Sequence, residues 1–144
     1  MLMRESKIEV SLVLTAYNCL HHTQRTLNSL QDIRVGSELI VIDDASNDGT
    51  REFLNELDFP RIRIVHNPVN IGYASSANLG ASMTTGEFIC FLNNDLVLTN
   101  AWLGPMLHGL QSLSDAGIVG CVQRNPTTDL VDHAGMFFDL EGYP

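Results

Sequence analysis

The sequence predicts an α/β protein with an open, mainly parallel, Rossmann-like sheet and helices on both faces. Short runs rich in Ile, Val, Leu and Phe alternate with segments of helical periodicity, and the alternation repeats without any internal sequence repeat. The composition of those runs is that of strands buried on both faces. At 144 residues the chain has the length of one domain with one core.

The first strand is expected from Ile8 to Thr15, followed by a helix on which Leu20, Thr23, Leu27 and Leu30 recur at helical spacing. Leu39–Ile42 is the second strand, and the helix after it carries Phe53, Leu54 and Leu57, with Ser46 as its expected N-cap. Ile62–Val65 is the third strand. The stretch NIGYASSANLG, Asn70 to Gly80, then sets a glycine just before a helix bearing Ala74, Ala77 and Ala81, small residues that permit close packing. Phe88–Leu92 is the fourth strand. Trp102, Leu103, Met106, Leu107, Leu110 and Leu113 make the apolar stripe of the longest helix, with Asn100 as cap and Pro105 implying a late start or a kink. Gly117 closes that segment, and Ile118–Val122 reads as a fifth strand. Each crossover should be right-handed.

From about Gln123 the sequence turns rich in Asn, Pro and Gly, and a hairpin or partial element is expected. The expected division is residues 1–122 as an α/β domain and 123–144 as the start of a further region. Phe137 and Phe138 have no evident partner surface, so a longer natural chain is expected.

Composition narrows the function. Hydrophobic residues make 44% and charged ones 17%, which excludes a disordered or low-complexity chain. Eight basic against seventeen acidic residues give a formal charge of −9, so nucleic acid and anionic membrane surfaces are repelled. The single lysine, Lys7, lies ahead of any strand-to-helix turn, so a GxxxxGK[ST] phosphate loop is absent. GxSxG, HExxH and GxGxxG are absent too. Cys19, Cys90 and Cys121 show no CxxC spacing, which speaks against zinc and disulfide frameworks. Glu5 and Glu9 interrupt the N-terminal apolar stretch, against a signal peptide, and no run reaches membrane-spanning length. A cytoplasmic location is expected.

In open α/β sheets ligands bind beyond the carboxyl ends of the strands, and here the ends of the first four strands run into polar sequence. They are Thr15 to Asn18, Asp43 to Thr50, His66 to Gly72, and Asn93 to Asp95. Adjacent carboxylates on an extended backbone point to opposite sides, so one of Asp43 and Asp44 can face the crevice while the other braces the loop. Asp44 is the expected ligand-facing group, able to accept from a base imide N–H or a ribose hydroxyl. Asp48, Gly49 and Thr50 read as turn and cap chemistry. Asp95, with Asn93 and Asn94, offers hard oxygen donors suited to magnesium or manganese, although the three alone also describe an ordinary turn. Gly72 lets a helix N-terminus approach an anionic ligand. His21 and His22 are sequential and should face apart on the surface, and His133 reads as a solvated loop histidine.

Taken together, VSLVLTAYN, VIDDASNDGT, NPVNIGYASSANLG and GEFICFLNNDLVL, in this order, resemble the donor-binding half of glycosyltransferase family 2 over nearly the whole chain. The resemblance implies a GT-A fold that binds a nucleotide-diphosphate sugar with Mn2+ or Mg2+ at a DxD-like motif. Here that motif is Asn93, Asn94, Asp95, a variant similar to bacterial rhamnosyl- and polysaccharide-type members, which leaves Asp95 to hold the metal. It further implies Thr15 and Tyr17 along the base, Asp44 on base or ribose, Asn70 and Gly72 bordering the nucleotide sugar, and Asn94 near the metal.

The implied reaction is transfer of the sugar, most often with inversion, to a hydroxyl of a glycan or lipid-linked acceptor in cell-surface glycan synthesis. UDP- or dTDP-linked donors are preferred by resemblance, and the full-length protein is expected at the inner face of the membrane. The general base that inversion requires comes, in the family, from the acceptor half, and no match to it precedes Pro144. A non-catalytic donor-binding or scaffold domain and a sugar nucleotidyltransferase remain alternatives. The first is favoured by the missing base, and the second is disfavoured by the lack of a basic, glycine-rich loop after Thr15.

Overall fold

A computed structural model describes residues 9–30, 37–59, 61–99, 101–125 and 127–135. Two compact units divide between Leu98 and Thr99. In the first, β1 (Val10–Ala16), α1 (Leu20–Ser29), β2 (Ser37–Asp43), α2 (Thr50–Asn55), β3 (Ile62–His66), α3 (Tyr73–Ser82) and β4 (Phe88–Asn93) follow one another. The second holds α4 (Leu103–Ser112) and the short strands β5 (Gln123–Arg124) and β6 (Val131–His133).

The four long strands form one parallel sheet in the order β3-β2-β1-β4. Its register sets Leu14 level with Val41 and Leu92, and Thr15 level with Ile42 and Asn93. Every residue of β1 and β2 is buried, as expected for central strands covered on both faces. The strand order steps one way from β1 to β3 and then returns to the far side of β1. With crossovers of one hand, that reversal sets α3 on the face opposite α1 and α2. The small residues of α3 explain how closely it lies there. Ala77 is buried, and a Cβ added at Gly80 would overlap Val13 Cγ1 and stand 3.3 Å from Ile42 Cγ1. Ala74 is exposed and Ala81 half-buried, so Ala77 and Gly80 rather than the alanines as a set make the contact.

At the amino end of the sheet the buried Glu38 gathers its neighbours. It accepts from Ser11 Oγ (2.5 Å), the N–H and hydroxyl of Thr85 (2.7 and 2.9 Å) and Arg63 Nη2 (2.6 Å), while Gly86 N–H donates to Ser11 Oγ. Arg63 also donates to the carbonyl of Met83. Burial alone would raise the Glu38 pKa, but these hydrogen bonds outweigh it and hold the group at about 2.

Several expectations are corrected. Ile118–Val122 forms no strand: Ile118 is 92% exposed, and an apolar run without a ladder partner leaves its backbone no reason to pair. β4 is an edge strand with Ile89 and Phe91 exposed, so it is not buried on both faces. α4 starts only at Leu103, the later of the starts that Pro105 implied, and Pro105 then falls in its first turn, where its missing N–H is not needed. None of the stripe on α4 is fully buried. The expected cap Asn100 and the pair Phe137 and Phe138 lie outside the described residues. Ser46 does not cap α2, which begins at Thr50 behind Gly49 at φ 94°. His21 and His22 do not face apart, their rings lying 3.9 Å between centroids. The expected hairpin is present, β5 pairing antiparallel with β6.

Candidate functional site

The carboxyl ends of β1 and β4 lie where the strand order reverses, the usual ligand crevice of an open α/β sheet. A cavity of about 320 Å³ opens there, lined by Thr15, Tyr17, Asp44, Asn70, Gly72, Asn94 and Asp95, with Ala16, Tyr73, Ser76 and Asn93 between them. All seven residues singled out in the sequence therefore meet in one place.

The loops after β1 and β2 are laced together. Asn18 N–H donates to Ser46 Oγ (2.8 Å), Asn47 N–H to Asn18 Oδ1 (2.9 Å) and Leu20 N–H to Asp48 Oδ2 (2.9 Å). Asp48 thus satisfies the first N–H of α1, while its Oδ1 takes the hydroxyl and N–H of Thr50. Asn18, Cys19 and Ala45 sit at φ 54°, 57° and 65°, a left-handed region that non-glycine residues enter only when their surroundings hold them.

The two adjacent aspartates divide their work as the extended backbone requires. Asp43 faces the β2–α2 loop, accepting from Ser46 N–H at 3.0 Å and lying 2.7 Å from His66 Nδ1, with Arg51 Nε at 3.8 Å. Asp44 faces the cavity side and is only 3% exposed. Its Oδ1 accepts from Asn67 Nδ2 (2.8 Å) and Ile71 N–H (2.9 Å) and its Oδ2 from Gly72 N–H (2.9 Å), while Asn67 Nδ2 also donates to Ser76 Oγ (3.1 Å). Burial would raise its pKa, yet the bonds from Ile71, Asn67 and Gly72 reverse the balance and keep the carboxyl below its ordinary range. The N-terminus of α3 accordingly already faces an anion, and that anion is Asp44.

On the β4 side, Asn94 Nδ2 donates to Thr23 Oγ1 (3.1 Å) and weakly to the carbonyl of Asn18 (3.4 Å), which ties this loop to α1. Asn93 and Asp95 stand exposed on either side. Among the described residues no group of three or more His, Cys, Asp or Glu could hold a metal ion. One carboxylate with amide oxygens fits a magnesium- or manganese-type cation only if water and a ligand's phosphate oxygens complete its shell.

Sequence reasoning missed Asn67, Ser76 and Tyr73. Asn67 matters through its bond to Asp44 and Ser76 through its bond to Asn67, tertiary contacts that leave no local trace. Tyr73 did leave one, an aromatic residue directly after the glycine that opens a helix.

The description "Glycosyl transferase family 2" matches residues 11–140. The chain is 38% identical over 89 residues to a chondroitin synthase of Pasteurella multocida, covering 60% of this chain and 9% of that protein. It is 33% identical over 100 residues to a UDP-Glc:alpha-D-GlcNAc-diphosphoundecaprenol beta-1,3-glucosyltransferase of Escherichia coli, covering 69% and 38%. Among solved structures, the mannosyltransferase PcManGT of Pyrobaculum calidifontis, in complex with GDP-Man and Mn2+, superposes with a TM-score of 0.64 at 23% identity, covering 74% of this chain and 33% of that one. The sheet is thus a GT-A-type Rossmann-like fold, and the chain spans well under half the length of each of these proteins.

Proposed function

The chain belongs to glycosyl transferase family 2, and from that premise we propose that it is the nucleotide-sugar donor-binding half of a glycosyltransferase. The observation that carries the proposal is the convergence of Thr15, Tyr17, Asp44, Asn70, Gly72, Asn94 and Asp95 on one cavity at the strand-order switch. Residues 1–122 form the donor region, and 123–144 begin the acceptor side.

The donor is a nucleotide-diphosphate sugar, UDP- or dTDP-linked, lying with its nucleoside along Thr15, Tyr17 and the Asn70–Gly72 strap, its base or ribose on Asp44, and its diphosphate toward Asn94 and Asp95. Asp95 would hold Mn2+ or Mg2+, which when bound would supply Lewis-acid neutralisation of the leaving diphosphate. Carboxylates beside a diphosphate repel it otherwise, so donor affinity depends on metal. In the reaction the bond from the anomeric carbon to the diphosphate breaks while the acceptor hydroxyl bonds to that carbon with inversion, its proton passing to a general base. No residue of this chain is assigned as that base.

The acceptor is a glycan or lipid-linked sugar of the cell surface, in keeping with relatives named for chondroitin and for a diphosphoundecaprenol-linked substrate. The proposed location is cytoplasmic, peripheral at the inner face of the membrane. No helix among the described residues is long and apolar enough to cross a membrane.

The test is a thermal-shift series with UDP, dTDP and GDP, each with and without Mn2+. A metal-dependent shift supports the reading and names the base, and a cooperatively folding protein that responds to none of them refutes it.

A further inference from the structure

Beyond Asn93, where β4 ends, residues 94–99 belong to no helix or strand, so no ladder fixes their place. Three bonds tie them to α1 instead. Asn94 Nδ2 donates to Thr23 Oγ1 (3.1 Å), Thr26 Oγ1 donates to the carbonyl of Leu96 (2.8 Å), and Leu98 N–H donates to Ser29 Oγ (3.1 Å). The two series keep step, every third residue of the helix meeting every second residue of the extended segment. Along that segment Asn94, Leu96 and Leu98 are half-buried, while Asn93, Asp95 and Val97 between them are exposed.

Threonine and serine are indifferent helix formers, and inside a helix their hydroxyls often bond back to a carbonyl one turn earlier. Thr23 and Thr26 are nevertheless fully buried, and the hydroxyl of Thr26 leaves its own helix to reach Leu96. Ser29 does both, donating to the carbonyl of Thr26 (2.7 Å) while accepting from Leu98. Buried hydroxyls that find their partners on one neighbouring segment fix a single arrangement of the two. The same bonds orient Asn94. Its Nδ2 serves Thr23 Oγ1 and the Asn18 carbonyl, and a carbonyl can only accept, so the nitrogen end of the amide faces α1. The oxygen is the end left over, and Asn94 lines the cavity beside Asp95.

We propose that Thr23, Thr26 and Ser29 are positioning residues for the cation site: their hydroxyls hold residues 94–98 along α1, turn the Asn94 amide and set the Asp95 carboxylate in place before a cation arrives. This rests on the reading of Asp95 as the residue that takes the divalent cation, and adds to it three side chains on a different element. A cation held by one protein carboxylate depends on such support, because freedom lost on binding subtracts from affinity.

The test is a thermal-shift titration of Mn2+ into the full chain, with whichever of UDP, dTDP and GDP shifts the wild type held at a fixed excess. The readout is the Mn2+ concentration that gives half the maximal shift. Thr23→Val keeps the branched shape and removes the hydroxyl, and is expected to raise that concentration about tenfold, whereas Thr23→Ser should stay within about twofold of wild type. Ser29→Ala, at a half-buried position, should raise it about threefold, and decides the matter if Thr23→Val does not fold. Gly80→Ala, destabilised on the other face of the sheet, should lower the melting temperature and leave the Mn2+ midpoint where it was. A wild-type midpoint in folded Thr23→Val or in Ser29→Ala, Thr23→Ser behaving as Thr23→Val does, or an equal rise in Gly80→Ala each overturns the inference while the donor-site reading stands. A folded wild type that responds to none of the nucleotides, or responds equally without Mn2+, takes the reading and the inference down together.

Discussion

Gly72 N–H donates to Asp44 Oδ2 at 2.9 Å, joining the entry of α3 to the end of β2 across 28 residues. The bond requires a backbone at φ 86° and ψ 158°, a region open essentially to glycine alone. A Cβ at Gly72 meets nothing within 4 Å, so the cost of a side chain there is conformational rather than steric. Gly72→Ala is expected to destabilise the fold by roughly 1–3 kcal/mol, read as a lower urea midpoint with unchanged slope.

Asp95 is exposed and its replacement disturbs no packing. Asp95→Ala should therefore change the stability of the free protein by less than about 0.5 kcal/mol. The same variant should lose the stabilisation of about 2.7 kcal/mol expected when a nucleoside diphosphate with Mn2+ is present at a hundred times its dissociation constant. Thermal shift measures both, and a retained metal-dependent shift would place the cation elsewhere.

Glu38 makes stability depend on acid. Its folded pKa of about 2 lies below the ordinary 4.5, so the unfolded chain binds its proton first as pH falls. The stabilisation is complete above the ordinary value and is lost as pH drops through the interval from 4.5 to about 2. Glu38→Gln should cost about 1–3 kcal/mol at neutral pH by leaving buried donors poorly matched. It should also flatten the acid limb of a stability-against-pH curve measured by urea unfolding.

Gly80 sets two effects against each other. Alanine in a helix interior is better than glycine by about 1 kcal/mol. Here, however, the new methyl would overlap Val13 Cγ1 on a fully buried central strand, and overpacking of that kind costs about 1–3 kcal/mol. The collision should win, with Gly80→Ala unfolding at lower urea than wild type.

The four parallel strands were legible because their residues are apolar in runs too short for helices, and the cavity was legible because polar residues follow each run. Alternation made it legible that Asp43 and Asp44 face opposite ways, and the structure turns Asp43 to the β2–α2 loop and Asp44 to the cavity side. The Asn67 and Ser76 pair beside Asp44 was not legible, since both look like ordinary loop and helix residues until the chain closes on itself. Ser46 was misread because a hydroxyl ahead of a helix suits a cap, whereas its Oγ serves Asn18 on a different loop. Ile118–Val122 has the composition of a strand, and composition does not supply the neighbour a strand needs.

The polar clusters at the two ends of β2 share a consequence for how the sheet assembles. Sliding a strand by one residue exchanges its two faces. For β2 the slide would also withdraw Glu38 from Ser11, Arg63 and Thr85 at one end, and Asp43 and Asp44 from His66, Asn67 and Gly72 at the other. The strand is indexed at both ends against fixed marks, so a misaligned sheet is penalised during folding by carboxylates of which one, Asp44, lines the crevice afterwards.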